Sequence, residues 1–221
     1  MEREMTDDEL KFIEQIKEFA CNKHEHPGEC QRYGNAPYSV HLDDVESNVK
    51  KFSYYLTAEE FLIVDPAAFC HDLIEDTEVD INKLRSVANR DVAELVYLVS
   101  NERGRDRKER NFKTYPKIWN NNLAIFLKLC DRIANTKNSK ESKHRMYDVY
   151  RKEYPVFRYA LKKDKQYEDM WIELDALSEY YPKELNQEEL ERILLDLLVN
   201  AQDNAYVKIT IQKIVELIKQ F

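Results

Sequence analysis

The sequence predicts an all-α fold, on three observations. Glycine and proline are scarce, three and six in 221 residues, so turn residues punctuate the chain sparsely. Apolar residues recur at steps of three and four along most of its length. No stretch alternates convincingly between apolar and polar, and no repeat or low-complexity segment interrupts the pattern. Hydrophobic residues at 43% and aromatics at 11% supply a core, while 34% charged residues make the surface very polar.

The elements follow in order. Thr6 and Glu9 form a capping box, and Leu10, Ile13, Ile16 and Ala20 then keep helical spacing. His41 opens a second stripe through Leu42, Val45, Val49, Phe52 and Leu56. Thr57 and Glu60 make another capping box, and Pro66 suits the first turn of a further helix. Asp80 can cap a short helix around Ile81, Leu84 and Val87, and Val92, Leu95, Val96 and Val99 line the next. In "NERGRDRKERNFK" six cations (Arg103, Arg105, Arg107, Lys108, Arg110, Lys113) oppose three acids (Glu102, Asp106, Glu109). This stretch reads as a solvated loop between helices or, more sharply, as a mobile basic lid over a phosphate site. A helix is expected over 122–135, one or two tyrosine-rich helices over 142–161, and two more near 187–200 and 204–220. The predicted division is a domain over 1–165 and a helical extension over 166–221, packed on or beside it.

Composition narrows the function. A net charge of −8 argues against nucleic acid as the default partner. No apolar run approaches the roughly 20 residues that span a bilayer, and no secretion signal is evident, so a cytoplasmic protein without membrane association is expected. The four cysteines form no C-x-x-C pair and are expected to be reduced. Cys21, His24, His26 and Cys30 match no standard zinc-finger spacing. Cys70 and Cys130 read as small core-facing residues.

The chemistry concentrates in "AFCHDLIEDT", residues 68–77. On a wheel at about 100° per residue, with His71 as origin, Glu75 lies near 40°, Asp72 near 100° and Asp76 near 140°. Phe69, Cys70, Leu73 and Ile74 fill the complementary arc. Three carboxylates thus crowd one imidazole with no Lys, Arg or Gln between them, which like-charge repulsion at i, i+4 disfavours. A divalent cation relieves the crowding, neutralising the carboxylates and taking the imidazole as a ligand. In "NLAIFLKLCDRIANTKN" the residues Lys128, Asp131 and Asn135 fall within about 60° of one another. A lone mid-helix Asp131 is ordinarily solvated or salt-bridged, here to Lys128 or Arg132, and gains weight only beside the first acidic face. His41, at a helix start after "APYSV", is by itself as readily a capping or core histidine. Composition permits a site of two histidines and two aspartates without establishing it.

The order His41, His71–Asp72, Asp131 resembles the HD phosphohydrolase superfamily, an all-α helical bundle that gathers H…HD…D around a divalent metal. "HDLIEDT", with "RYGNAPYSVH" upstream and "LKLCDRIANT" downstream, is similar to the hydrolase domain of the RelA/SpoT family and its small alarmone hydrolases, over roughly residues 10–160. Those enzymes remove the 3′-pyrophosphate of (p)ppGpp, usually with Mn2+. The resemblance implies an HD-domain bundle with a C-terminal helical appendage, and His41, His71, Asp72 and Asp131 as metal ligands. It implies Glu75 and Asp76 as the pair that positions and deprotonates the attacking water. Arg32 stands where the family packs an arginine on guanine, and Asn135 where an asparagine meets ribose and phosphates. Tyr33 and Lys128 complete the expected substrate-binding set. The basic stretch falls where these enzymes have a charged, mobile connection.

Three departures accompany the resemblance. Tyr33 replaces the lysine that normally follows the arginine, removing a cation or substituting a stacking ring. About six extra residues lie between His41 and His71, near "KKFSYYLTAEEF". The chain after about residue 165 lacks the pattern of the family's synthetase domain, which implies hydrolase activity alone. The expected function is a Mn2+-dependent (p)ppGpp 3′-pyrophosphohydrolase with a nucleotide, guanine-containing substrate and the possibility of a homo-oligomer. The rivals are an HD phosphohydrolase of other specificity (a nucleotidase, a triphosphohydrolase or a 3′-phosphatase of a dinucleotide cofactor) and a non-catalytic nucleotide-binding module.

Overall fold

The computed structural model describes residues 5–25 and 31–180. Helix α1 (Asp7–His24) starts at the predicted capping box, with the Thr6 amide donating to Glu9 Oε2 at 2.8 Å and the Glu9 amide to Thr6 Oγ1 at 3.3 Å. A short antiparallel hairpin follows, β1 (Arg32–Tyr33) and β2 (Ala36–Pro37), with Tyr33 opposite Ala36. Its two-residue turn needs a positive φ at the first position, which Gly34 supplies at 62°. Strands of two residues are too short to carry an apolar–polar alternation.

Helix α2 (Ser39–Lys51) buries His41, Leu42, Val45 and Val49, the predicted stripe. A 3-10 turn at Ser53–Tyr55 joins α2 to α3 (Ala58–Cys70), between the two histidines. Pro66 does not open a helix. Helix α3 runs from the Thr57–Glu60 capping box through Pro66 to Cys70, and the sequence missed this because a proline at i leaves only its own turn short of a donor. Val64 to Cys70 are buried without a break, so α3 is a central helix with no solvent face there.

The short α4 (Leu73–Asp76) is followed by α5 (Ile81–Ala88), capped by Asp80, and α6 (Arg90–Val99), capped by Asn89, whose side-chain oxygen accepts from the Val92 amide at 3.1 Å from a backbone at φ 82° and ψ 174°. Helix α7 (Arg107–Trp119) begins at an Asp106 cap, so most of the predicted basic loop is helical. Helix α8 (Asn122–Glu141) reaches one and a half turns beyond the predicted end and buries every residue from Ala124 to Ala134. Helices α2, α3, α6, α7, α9 (Met146–Leu161) and α10 (Glu168–Leu177) all pack against it. Helix α10 sets Met170, Trp171 and Leu174 into the same core, where Trp171 lies 5.8 Å from the Phe157 ring. The helices expected near 187–200 and 204–220 lie outside the described residues. No helix among the described residues is long and apolar enough to cross a membrane. Cys21, Cys70 and Cys130 are free thiols, as expected.

One core residue is anomalous. Asp65, on α3, is 1% exposed, and its Oδ1 has no hydrogen-bond partner among the described residues. Burial first, then repulsion from Glu46, pushes its pKa from 3.8 up to about 7 against the pull of Lys50 and Lys17. The folded chain therefore holds this proton more tightly than the unfolded chain does. The associated stability is complete below about pH 4 and is lost as pH rises towards 7. Asp65→Asn removes the dependence, so its Tm should match wild type near pH 4 and exceed it at pH 8, by up to about 4 kcal/mol of stability. Parallel thermal melts at the two pH values check this; a gap that stays constant with pH would show that Asp65 keeps an ordinary pKa.

Candidate functional site

The elements bring the predicted donors together. His41 lies in the first turn of α2, Asp131 mid-way along α8, and His71 and Asp72 where α3 ends. The sequence treated 66–76 as one helix. The structure breaks it at His71–Asp72, with Asp72 at φ −101° and ψ −3°, before α4 resumes. On a continuous wheel these two side chains diverge by about 100°. At the break they meet, with His71 Nε2 3.1 Å from Asp72 Oδ2.

Around that pair, His41 Nε2 lies 3.2 Å from His71 Nε2 and 3.6 Å from Asp72 Oδ2. Asp131 Oδ1 lies 3.6 Å from His41 Nε2 and 3.7 Å from His71 Nε2. His71 Nδ1 is 2.8 Å from the Ala68 carbonyl oxygen. A proton on Nδ1 satisfies that contact and leaves Nε2 as a lone pair facing the cluster, the tautomer a metal requires. One ligand atom from each of His41, His71 and Asp131 fits within 4.8 Å of the others, and all three residues are buried. Two imidazole nitrogens and two carboxylates converging in a buried site suit a divalent cation bound by nitrogen and oxygen.

The electrostatics make the same demand. Burial alone would discharge His71, yet the Asp72 and Asp131 carboxylates hold its pKa well above the ordinary value. Burial likewise opposes ionisation of Asp72 and Asp131. The imidazoles outweigh it for Asp72, and Lys128 with His71 outweighs it for Asp131, so both stay below the usual carboxylate range. The cluster needs positive charge. Lys128 supplies part of it. Its Nζ is 3.0 Å from Asp131 Oδ2 and it is 8% exposed; burial works against its charge, but Asp131, Glu75 and Asp72 hold its pKa above the ordinary value.

Glu75 is held at both oxygens by a residue the sequence did not single out. The Asn101 backbone N–H donates to Oε1 at 2.7 Å and its Nδ2 donates to Oε2 at 2.8 Å. Asp76 is pushed up to about 6, by burial first and then by Asp72 and Glu75. Tyr38 was also missed. Its hydroxyl donates to Asp72 in a short contact and lies 3.4 Å from Asp76 Oδ2. Its position three residues before His41 was the available clue. Asn101, just past the end of α6, carried none.

The expected substrate-binding residues divide. Asn135 donates from Nδ2 to Asp131 Oδ1 and so braces a ligand candidate. Tyr33 lies with its ring 4.7 Å from that of His41 and donates its hydroxyl to the Ala134 carbonyl at 2.9 Å, walling the site rather than standing free. Arg32 is exposed on the hairpin, where Nη1 donates to Asn35 O at 3.2 Å, and it joins none of these contacts. The basic stretch is a helix start tied down by ion pairs, not a free lid. Glu109 binds Arg105 and Lys113 at 2.9 and 2.7 Å, and Lys117 binds Glu102 at 2.8 Å. Arg107 and Arg132 share Glu153 at 2.5 and 3.2 Å. Of the unmatched zinc-finger set, His24 is buried against Tyr38 and Gln31, Cys21 is half-buried, and His26 and Cys30 lie outside the described residues.

No family model matches the chain, and no curated protein matches it. A solved structure does match: that of a metazoan ortholog of SpoT described as hydrolysing ppGpp and acting in starvation responses. The likeness has a TM-score of 0.59 at 19% identity and covers 80% of this chain and 96% of the other. The chain therefore shares the all-α fold of that hydrolase, as the resemblance predicted.

Proposed function

We propose that the chain is a metal-dependent nucleotide phosphohydrolase, and specifically a (p)ppGpp 3′-pyrophosphohydrolase that releases GDP or GTP and pyrophosphate. The observation that carries the reading is the convergence of His41, His71, Asp72 and Asp131, three segments apart in sequence, beside a Glu75 clamped by Asn101. The shared fold of a ppGpp hydrolase supports it. The four donors would hold the metal, Mn2+ in our reading. When bound, that ion supplies charge at phosphorus and acidifies water. Glu75 takes the proton of the attacking water as that water adds to the 3′-linked phosphorus; the bond from phosphorus to the ribose oxygen breaks, and that oxygen leaves with the electron pair and takes a proton from solvent. Asp76 orients the water or Glu75. Lys128 offsets negative charge on the phosphate oxygens, and Tyr38 fixes the Asp72 carboxylate. Arg32 packs on the guanine and Asn135 meets the ribose and phosphates. The catalytic unit spans 1–165 and the extension 166–221. The setting proposed is cytoplasmic, with a homo-oligomer as an option.

One observation favours a second reading, the same chemistry on another nucleotide: Tyr33 stands where the family has a lysine, and its hydroxyl is committed to Ala134. Product analysis with Mn2+ across (p)ppGpp, 5′-nucleotides, nucleoside triphosphates and phosphorylated dinucleotide cofactors separates the two. Pyrophosphate with GDP or GTP from (p)ppGpp is expected. Turnover of 5′-nucleotides with none of (p)ppGpp replaces the substrate, and tight binding without turnover brings forward a binding module.

Asn101 provides a finer test. Asn101→Ala removes the side-chain half of the clamp and frees the Glu75 rotamer. Turnover should fall about 10- to 100-fold with metal content unchanged. Unaltered kcat would show that Glu75 needs no such holding.

A further inference from the structure

Helix α4 is a single turn, too short to hold its own shape, so its neighbours must hold it. On one side Asn101 grips Glu75. On the other, the end of α1 reaches Asp76. The Asp76 carbonyl, one of the acceptors left over at the end of α4, takes an N–H from Gln31 Nε2 at 2.5 Å. A carbonyl only accepts, so this contact fixes which way the Gln31 amide points and leaves Oε1 facing His24 Nδ1, also at 2.5 Å. The Gln31 backbone N–H donates to the His24 carbonyl oxygen at 3.0 Å, which joins the two residues a second time. Next to them, Lys23 pairs with Glu78 at 2.5 Å.

His24 is fully buried, with Nε2 unpartnered among the described residues. A proton on Nδ1 therefore serves Gln31 and leaves no buried N–H without an acceptor. Burial lowers the His24 pKa despite the opposing pull of Gln31 and Asp72, which keeps the ring neutral. The same ring packs against Tyr38, centroids 4.4 Å apart, and the Tyr38 hydroxyl donates to Asp72 and lies 3.4 Å from Asp76 Oδ2.

We infer that His24 is a positioning residue for Asp76: its Nδ1–H orients the Gln31 amide, which holds the Asp76 carbonyl and so sets where the carboxylate stands. Under the hydrolase reading, on which the catalytic consequence rests, Asp76 orients the attacking water or Glu75. Displacing it lowers kcat with little change in KM.

The sequence contains one Asp–Thr pair, Asp76–Thr77. The full chain labelled with ¹³C-carbonyl aspartate and ¹⁵N threonine therefore shows a single correlation that reports the Asp76 carbonyl. Loss of its hydrogen bond should move that carbonyl to lower frequency in Gln31→Ala. The same shift is expected in His24→Phe, which keeps a ring against Tyr38 but has no N–H. His24→Asn puts an amide N–H close to where Nδ1 stands and should stay near wild type. In wild type, long-range ¹H–¹⁵N spectra should place the His24 ring proton on Nδ1. An unmoved correlation in Gln31→Ala or in His24→Phe, or a ring proton on Nε2, overturns the assignment. At saturating Mn2+, kcat should fall at least about tenfold in His24→Phe and less in His24→Asn, although Asn leaves a cavity and should melt lower. Turnover that instead ranks with Tm would reduce His24 to packing and overturn its positioning role. The correlation and the ring proton are read without substrate. If no nucleotide is turned over, the hydrolase reading fails alone and these two readouts still decide the relay.

Discussion

Glu75→Gln is expected to keep its metal and lose turnover by about 10²- to 10⁴-fold. The substitution is almost isosteric, and the clamp can accommodate it. The Asn101 backbone N–H, 2.7 Å from Oε1, still finds a carbonyl oxygen in the new amide. The Asn101 side chain, whose Nδ2 now donates to Oε2 at 2.8 Å, can turn to present its own oxygen to the new NH2 group. Position is therefore conserved while the negative charge and the basicity go together. A truncation such as Glu75→Ala would also empty the place that Asn101 holds; both variants withdraw the carboxylate that helps keep Lys128 charged, so the isosteric one changes less. The measurement is single-turnover phosphate or pyrophosphate release on the preferred nucleotide, with metal content read on the same sample. If Glu75→Gln turns over within a few-fold of wild type, the proton goes elsewhere, and Asp76, whose pKa near 6 suits a base at neutral pH, becomes the next residue to substitute.

The sequence disclosed composition of the site better than its geometry. Capping boxes at Thr6 and Thr57 placed the starts of α1 and α3, and the apolar stripes placed α2, α6 and α8, because capping and burial are local and periodic. Pro66 misled, since tertiary burial of α3 on all sides overrides the loss of a single helical hydrogen bond. The wheel placed His71, Asp72 and Glu75 on one face, whereas the donors meet because the helix stops at His71, and a break in mid-motif leaves no periodic trace. Likewise, Tyr38 and Asn101 act through contacts 34 and 26 residues away, and pairings at that distance are invisible to any local pattern. The basic stretch shows the opposite error. Its charge suggested a loop, but Asp106 caps a helix there, Glu109 pairs Arg105 and Lys113, and Glu153 pairs Arg107, so these three cations serve the fold.

Asp131→Ala should abolish metal loading, for a reason that can be separated from damage to the fold. Asp131 is 7% exposed, and its carboxylate lies 3.6 and 3.7 Å from the two imidazoles and 3.0 Å from Lys128. Truncation removes a donor and also strands a buried ammonium beside two histidines, a loss of about 3–5 kcal/mol when a buried pair is broken on one side. Instability alone could then mimic metal loss. A second change, Lys128→Met, removes the stranded charge, so the Asp131→Ala/Lys128→Met double variant should regain most of the lost stability while its metal content stays low. Wild type in Mn2+ at about a hundredfold its Kd should be stabilised by about 2.7 kcal/mol, on the order of 5–10 °C in Tm for a chain of this size. The double variant should show no such rise. The opposite result, a double variant that binds Mn2+ stoichiometrically and melts higher for it, would mean that His41, His71 and Asp72 suffice. Asp131 would then be the counterion of Lys128 and not a ligand.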